Sequence, residues 1–286
     1  MYQFPIGVIL ESFRCTRSEA IKKAASIGAN GIQMYATEGE NSPENLNATA
    51  RIALRDEVHG NGLVFSALCG DLGRGFGNRE LNSMLIEKSK RIVDLAKDLG
   101  TDIVTTHIGV VPSDKNNERY KVMQEACFEL ASYADSMDAH FAIETGPETS
   151  AVLKEFLDGL GSTGVAVNLD PANFVMVTGD DPVQAVYNLR KYIVHTHAKD
   201  GVKYLDSNPE FIYRIVHPIP PEIQEMKFFE EVPLGSGSVD FKNYLKALED
   251  IGYKGFLTIE REVGENPEKD IQTAYNYLKK TIAESK

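Results

Sequence analysis

Along the chain, short apolar runs rich in β-branched residues alternate with longer segments whose apolar positions recur every three or four residues. Residues 6–10, 31–35, 63–68, 102–107, 140–144, 164–170, 192–197 and 255–260 predict eight strands. Between them, residues 18–27, 81–99, 120–137, 181–189, 241–251 and 266–282 predict amphipathic helices. Three joints have one shape. Ile27-Gly28-Ala29, Leu99-Gly100-Thr101 and Ile251-Gly252-Tyr253 each end a helix on a glycine able to adopt φ > 0, and a strand follows. Eight such units imply an all-parallel sheet closed into an α/β (β/α)8 TIM barrel, one domain over residues 1–286. A doubly wound open sheet would need a phosphate-binding glycine loop after the first strand, and Glu11-Ser12-Phe13-Arg14 is not one. Residues 201–237 break the rhythm, with Pro218, Pro220 and Pro221 among acidic positions. A long insertion between strands seven and eight reads as a lid or binding element.

Composition fits that picture. The 286 residues suit one barrel, and 42% apolar content supplies its core. A net charge of −12 repels phosphate backbones, which argues against a nucleic-acid partner. Cys15, Cys69 and Cys127 form no CxxC pair, so neither a disulfide framework nor a thiolate zinc site is expected. No apolar run approaches the ~18 residues that cross a bilayer. The N-terminal residues lack a signal-peptide pattern. The chain reads as a cytoplasmic protein with no membrane partner.

The chemistry collects at strand ends. Ile143-Glu144, Leu169-Asp170, His195-Thr196-His197 and Ile259-Glu260 each close an apolar run with an ionisable group. In a parallel barrel all strand C-termini share one mouth, so these side chains converge. Three carboxylates and an imidazole buried together are untenable without a cation, and one divalent metal ion per chain removes that cost. Two Glu, one Asp and one His without a thiolate suit Mn²⁺, Mg²⁺, Co²⁺ or Zn²⁺ alike. Side chains alternate with period two, so His195 and His197 share a face. His197 is nearer the mouth and is the expected ligand, with His195 one layer deeper in support. His107 ends strand four and should also reach the mouth, to bind substrate, a second metal or only its neighbours.

Glu144-Thr145-Gly146-Pro147-Glu148-Thr149, Asn168-Leu169-Asp170-Pro171-Ala172-Asn173, His195-Thr196-His197-Ala198-Lys199-Asp200, Pro233-Leu234-Gly235-Ser236-Gly237 and Leu257-Thr258-Ile259-Glu260-Arg261-Glu262 resemble the xylose isomerase-like sugar isomerase/epimerase superfamily. That group includes ketose 3-epimerases, hydroxypyruvate isomerase, inosose dehydratase and, more distantly, endonuclease IV. The resemblance covers essentially the whole chain. It implies a metal held by Glu144, Asp170, His197 and Glu260, with Glu144 and Glu260 as the acid/base pair and Lys199 near the metal or substrate. It also implies a homodimer or homotetramer, by analogy only. Cys69 and Asn173 stand where endonuclease IV-like sites add histidines, leaving a three-metal nuclease site short of ligands.

The expected activity is metal-dependent isomerisation or epimerisation of an open-chain ketose or ketose phosphate through an enediolate. His107, Glu148, Asn173, Lys199 and Arg261 are the expected substrate contacts, and Lys199 and Arg74 the cations available to a phosphate. An inosose-type dehydratase is the nearest alternative. An endonuclease IV-like hydrolase and a non-catalytic sugar-binding barrel follow it.

Overall fold

The computed structural model describes residues 2–215 and 218–284. Its barrel strands are β1 Ile6–Ile9, β2 Gly31–Tyr35, β3 Val64–Cys69, β4 Ile103–Thr106, β5 His140–Glu144, β6 Val165–Leu169, β7 Ile193–Ala198 and, after two strands of the insertion, β10 Leu257–Ile259. They hydrogen-bond in the order β1-β10-β7-β6-β5-β4-β3-β2 and close on themselves. Every neighbouring pair is parallel. The eight strands expected from the hydrophobic pattern are all present, with ends moved by one or two residues.

Around the barrel run α1 Arg17–Ser26, α2 Ala48–Gly60, α3 Arg79–Leu99, α4 Glu118–Ser136 and α5 Ser150–Asp158, then helices Pro182–Leu189, Phe241–Asp250 and Pro267–Glu284. Side-chain oxygens of Asn47, Asn78, Asn117, Thr149 and Asp181 accept first-turn amides at five helix starts. The three glycine joints do what their spacing predicts: φ is 89° at Gly28, 87° at Gly100 and 77° at Gly252.

Two helices were not expected. α2 buries only Leu54 and Val58 on a charged segment, and α5 is nine residues long. Each docks one narrow apolar stripe, too short to carry a periodic signal. No helix of the described residues is long and apolar enough to cross a membrane.

The insertion is built rather than irregular. β8 Asp200–Lys203 and β9 Phe229–Val232 pair antiparallel, from Asp200 opposite Val232 to Lys203 opposite Phe229. Short helical turns at Pro209–Ile212 and Pro221–Gln224 lie between them. The insertion lays Ile212, Tyr213, Phe229 and Glu231 over the C-terminal mouth of the barrel, where they wall a cavity of about 720 Å³.

Candidate metal centre

The C-terminal ends of β5, β6, β7 and β10 deliver Glu144, Asp170, His197 and Glu260 to the floor of that cavity. One ligand atom from each lies within 4.8 Å of the other three. His197 Nδ1 is the hub, at 3.0 Å from Glu260 Oε2 and 3.6 Å from both Glu144 Oε1 and Asp170 Oδ2. All four side chains are buried. Asp170 anchors its loop through Oδ1, which accepts the amides of Ala172 (2.8 Å) and Asn173 (3.0 Å). Its Oδ2 has no hydrogen-bond donor, while Glu260 Oε2 meets the Lys199 ammonium at 3.2 Å and His197 Nδ1 at 3.0 Å.

The electrostatics show what this cluster lacks. Burial pulls His197 down, but the Glu260 and Glu144 carboxylates outweigh it and hold the imidazole well above its ordinary value. Burial raises Asp170. Burial also opposes ionisation of Glu260, yet Lys199 and His197 bring that carboxyl below the ordinary range. Without a cation, the proton on His197 and the Lys199 ammonium are the positive charges that face three buried carboxylates. The donor set, the orphaned Asp170 Oδ2 and the mutual approach of the four ligand atoms fit a divalent ion.

Beneath the cluster lies a polar layer that sequence reasoning found only in His195. His197 Nε2 donates to Gln33 Oε1 (3.1 Å), while Gln33 Nε2 donates to Thr105 Oγ1 (3.2 Å). Thr105 donates in turn to Leu68 O (3.4 Å). Each group thus has one consistent role: His197 Nε2 keeps its proton toward Gln33, and Nδ1, facing the carboxylates, is the nitrogen that a cation would take in place of a proton. On the other side, Thr258 Oγ1 donates to His195 Nε2 (2.9 Å), and His195 Nδ1 donates to Asn168 Oδ1 (2.9 Å). Asn168 Nδ2 lies 3.2 Å from His197 Nε2 and donates to Glu144 Oε2 (3.4 Å). Burial, then the charge of His197, hold His195 well below its ordinary value, so it is neutral and can donate and accept at once.

A family model described as Xylose isomerase-like TIM barrel matches residues 21–281. The chain belongs to this family. Among similar proteins, L-ribulose-5-phosphate 3-epimerase of Escherichia coli is 21% identical over 296 residues, covering 99% of this chain and 96% of the relative. A solved Xylose isomerase domain protein from Planctomyces limnophilus superposes with a TM-score of 0.78 at 24% identity, covering 98% of this chain and 97% of its own. A probable 3-DHS dehydratase from Bacillus anthracis superposes at 0.74 with 18% identity, covering 96% and 99%.

In this xylose isomerase-like barrel the other expected contacts fall into three groups. His107, Asn173 and Lys199 line the cavity. His107 Nε2 lies 3.6 Å from Glu144 Oε1 with its ring against Tyr213, and Asn173 Nδ2 donates to Glu144 Oε1 (3.1 Å). Lys199 Nζ sits 3.2 Å from Glu260 Oε2 and 2.5 Å from Glu262 Oε2. Arg261 also lines the cavity, but its guanidinium is clamped by Glu231 (2.6 Å) and Asp270 (2.8 Å). Glu148 and Arg74 are not among the residues lining the cavity. Glu148 lines a neighbouring cleft with Asn117, Arg119 and Glu210, and Arg74 is exposed.

The wall residues Asp71, Met176 and Tyr213 were not anticipated. Tyr213 comes from the insertion, and only tertiary contact brings it over the site. Gly146, after β5, has a φ of 132°, and a Cβ there would sit 2.4 Å from Asn173 Cβ. The close turn at Gly146 is what lets Asn173 reach Glu144.

Proposed function

We propose that this xylose isomerase-like barrel is a divalent-metal-dependent isomerase or epimerase of open-chain ketoses that moves a proton on the carbon α to the carbonyl. One observation carries the reading. Two carboxylates, Glu144 and Glu260, share one buried Asp/His-bearing cluster that opens into a cavity of about 720 Å³, the size of a small-molecule site. Glu144, Asp170, His197 and Glu260 would hold the ion. When bound, it supplies Lewis-acid polarisation of the carbonyl and so lowers the cost of removing the α-proton.

The side chains supply the rest. One of Glu144 and Glu260 takes the α-proton, leaving an enediolate on the substrate and a neutral carboxyl on the enzyme. Return of a proton on the opposite face by the other glutamate, which must begin the cycle as a neutral carboxyl and ends it ionised, gives the epimer. Return at the neighbouring carbon gives the aldose–ketose isomer. The two glutamates are differently held, which supports separate roles. Glu260 has the Lys199 ammonium at 3.2 Å, whereas Glu144 receives the Asn173 and Asn168 amides with His107 nearby. Tyr213 and Phe229 of the insertion cover the cavity and limit water at the reacting carbon.

Incubating a ketose panel in D₂O with Mn²⁺ and following α-deuteration by NMR tests the reading. Exchange by the native chain, abolished in a folded Glu260→Gln variant, is expected. Full exchange by that variant removes Glu260 from the mechanism, and a product lighter by one water identifies a dehydratase instead.

A further inference from the structure

Barrel enzymes commonly hold a substrate phosphate in the loops after the last strands, on backbone N–H groups that converge there. This chain has such a convergence after β7, and its own carboxylate fills it. Asp200 Oδ1 accepts the amides of Gly201 (2.9 Å) and Val239 (3.1 Å), and Oδ2 those of Gly235 (3.0 Å) and Gly237 (2.9 Å). Asp200 is 1% exposed, and a Cβ on Gly237 would lie 2.2 Å from Asp200 Oδ1. Four donors and their space are committed to an internal anion.

The cavity itself offers a phosphate no substitute. Lys199 and Arg261 are the only lysine or arginine among the described residues lining it. Both are engaged, Arg261 by Glu231 and Asp270, and Lys199 by Glu260 and Glu262. Arg14, at the rim, gives its guanidinium to Gly264 O (2.6 Å) and Glu262 O (2.9 Å). Six carboxylates, Asp71, Glu144, Glu230, Glu231, Glu260 and Glu262, face those two cations, so even a divalent ion leaves the wall net negative. Carboxylates accept hydrogen bonds, sugar hydroxyls donate them, and a phosphate dianion only accepts.

We infer that the substrate is an unphosphorylated polyhydroxy ketone and that the site rejects sugar phosphates, an inference that rests on the proton-transfer reading above. Asp200 and the Glu231–Arg261–Asp270 clamp are the specificity determinants.

The test compares matched pairs on the Mn²⁺-loaded native chain, D-fructose with its 6-phosphate and L-ribulose with its 5-phosphate. Binding is read by calorimetry and turnover by α-deuteration in D₂O. Like-charge juxtaposition predicts at least about tenfold weaker binding of the ester than of the free ketose. An ester that binds as tightly as its free ketose overturns the inference. If free ketoses bind preferentially but exchange no deuterium, the proton-transfer reading fails and the substrate class stands. If esters exchange faster than free ketoses, the reverse holds. Asp200→Gly, which vacates the nest, should gain saturable orthophosphate binding that the native chain lacks. Equally tight orthophosphate binding by the native chain refutes the filled-nest argument whether or not the variant folds.

Discussion

Glu148, in the cleft beside the site, makes the stability of the fold pH-sensitive, and replacing it with glutamine measures by how much. The side chain follows the Gly146 turn and is 6% exposed. Its Oε2 accepts the Val111 amide at 3.0 Å, while Oε1 is buried without a partner. Burial outweighs that single hydrogen bond and pushes the carboxyl up from 4.5 to about 8. Between those values the folded chain binds a proton that the unfolded chain has released. Stability from this group is therefore full below pH 4.5 and is lost as pH rises through about 8. Each pH unit in that window costs about 1.4 kcal/mol, so the loss reaches about 3 kcal/mol at pH 7.

Glu148→Gln mimics the protonated acid and keeps an acceptor for Val111. It should match the native chain at pH 4.5 and exceed it by about 3 kcal/mol at pH 7, or roughly 5 °C in Tm for a chain of this length. Thermal melts of both proteins in EDTA across pH 4.5–8.5 read the difference, in which every other titrating group cancels. Parallel Tm-against-pH curves would refute the reasoning, because they would mean that water or a rearranged neighbour solvates the ionised form.

Three further outcomes follow from the same geometry. Native chain purified with Mn²⁺ should hold about one ion per chain by elemental analysis, and Asp170→Ala should lose most of it, since this removes an orphaned ligand oxygen; undiminished metal content in the variant would place the ion elsewhere. Gln33→Leu removes the acceptor that keeps the proton on His197 Nε2. It should weaken Mn²⁺ affinity about 10–100-fold in a calorimetric titration, and an unchanged Kd would show that the tautomer is set by something else. Gly146→Ala forces a Cβ onto Asn173 at a positive φ. It should cost about 1–3 kcal/mol in a urea melt, and a neutral result would mean that the turn adapts.

The barrel was legible because its signals are local. Eight runs of β-branched residues and three helix–glycine–strand joints need no tertiary information, and strand ends at Glu144, Asp170, His197 and Glu260 converge by topology alone. What escaped lacks a local signature. α2 shows one apolar pair on a charged helix, and β8 and β9 carry Lys203, Glu230 and Glu231, so neither reads as a buried strand. Gln33, Thr105 and Thr258 sit inside strand patterns that look merely interrupted by a polar residue. Only closure of the barrel turns those interruptions into one buried layer. Arg261 shows what local sequence leaves open. Its position beside Glu260 suggested a substrate contact, but Asp270 and Glu231, distant in sequence or in the insertion, already occupy its guanidinium.

That layer explains how a cluster with unbalanced charge keeps its shape. One hydrogen-bond chain starts at Thr258, passes through His195 and Asn168, and delivers an amide to Glu144. A second starts at His197 and runs through Gln33 and Thr105 to the carbonyl of Leu68. Each chain runs in one direction only, because neutral His195 has one donor and one acceptor nitrogen and each amide is fixed by its neighbours. The chains end on different members of the cluster and are rooted in different strands. Two members are therefore positioned from below before any ion arrives, and the entropy of ordering them is met by folding. Asp170 Oδ2 has no such support, and Glu260 Oε2 meets only Lys199 and His197, so an ion in the proposed site would gain most at Asp170. In the proposed metal site the preorganised half would set the geometry, and Asp170 would add affinity.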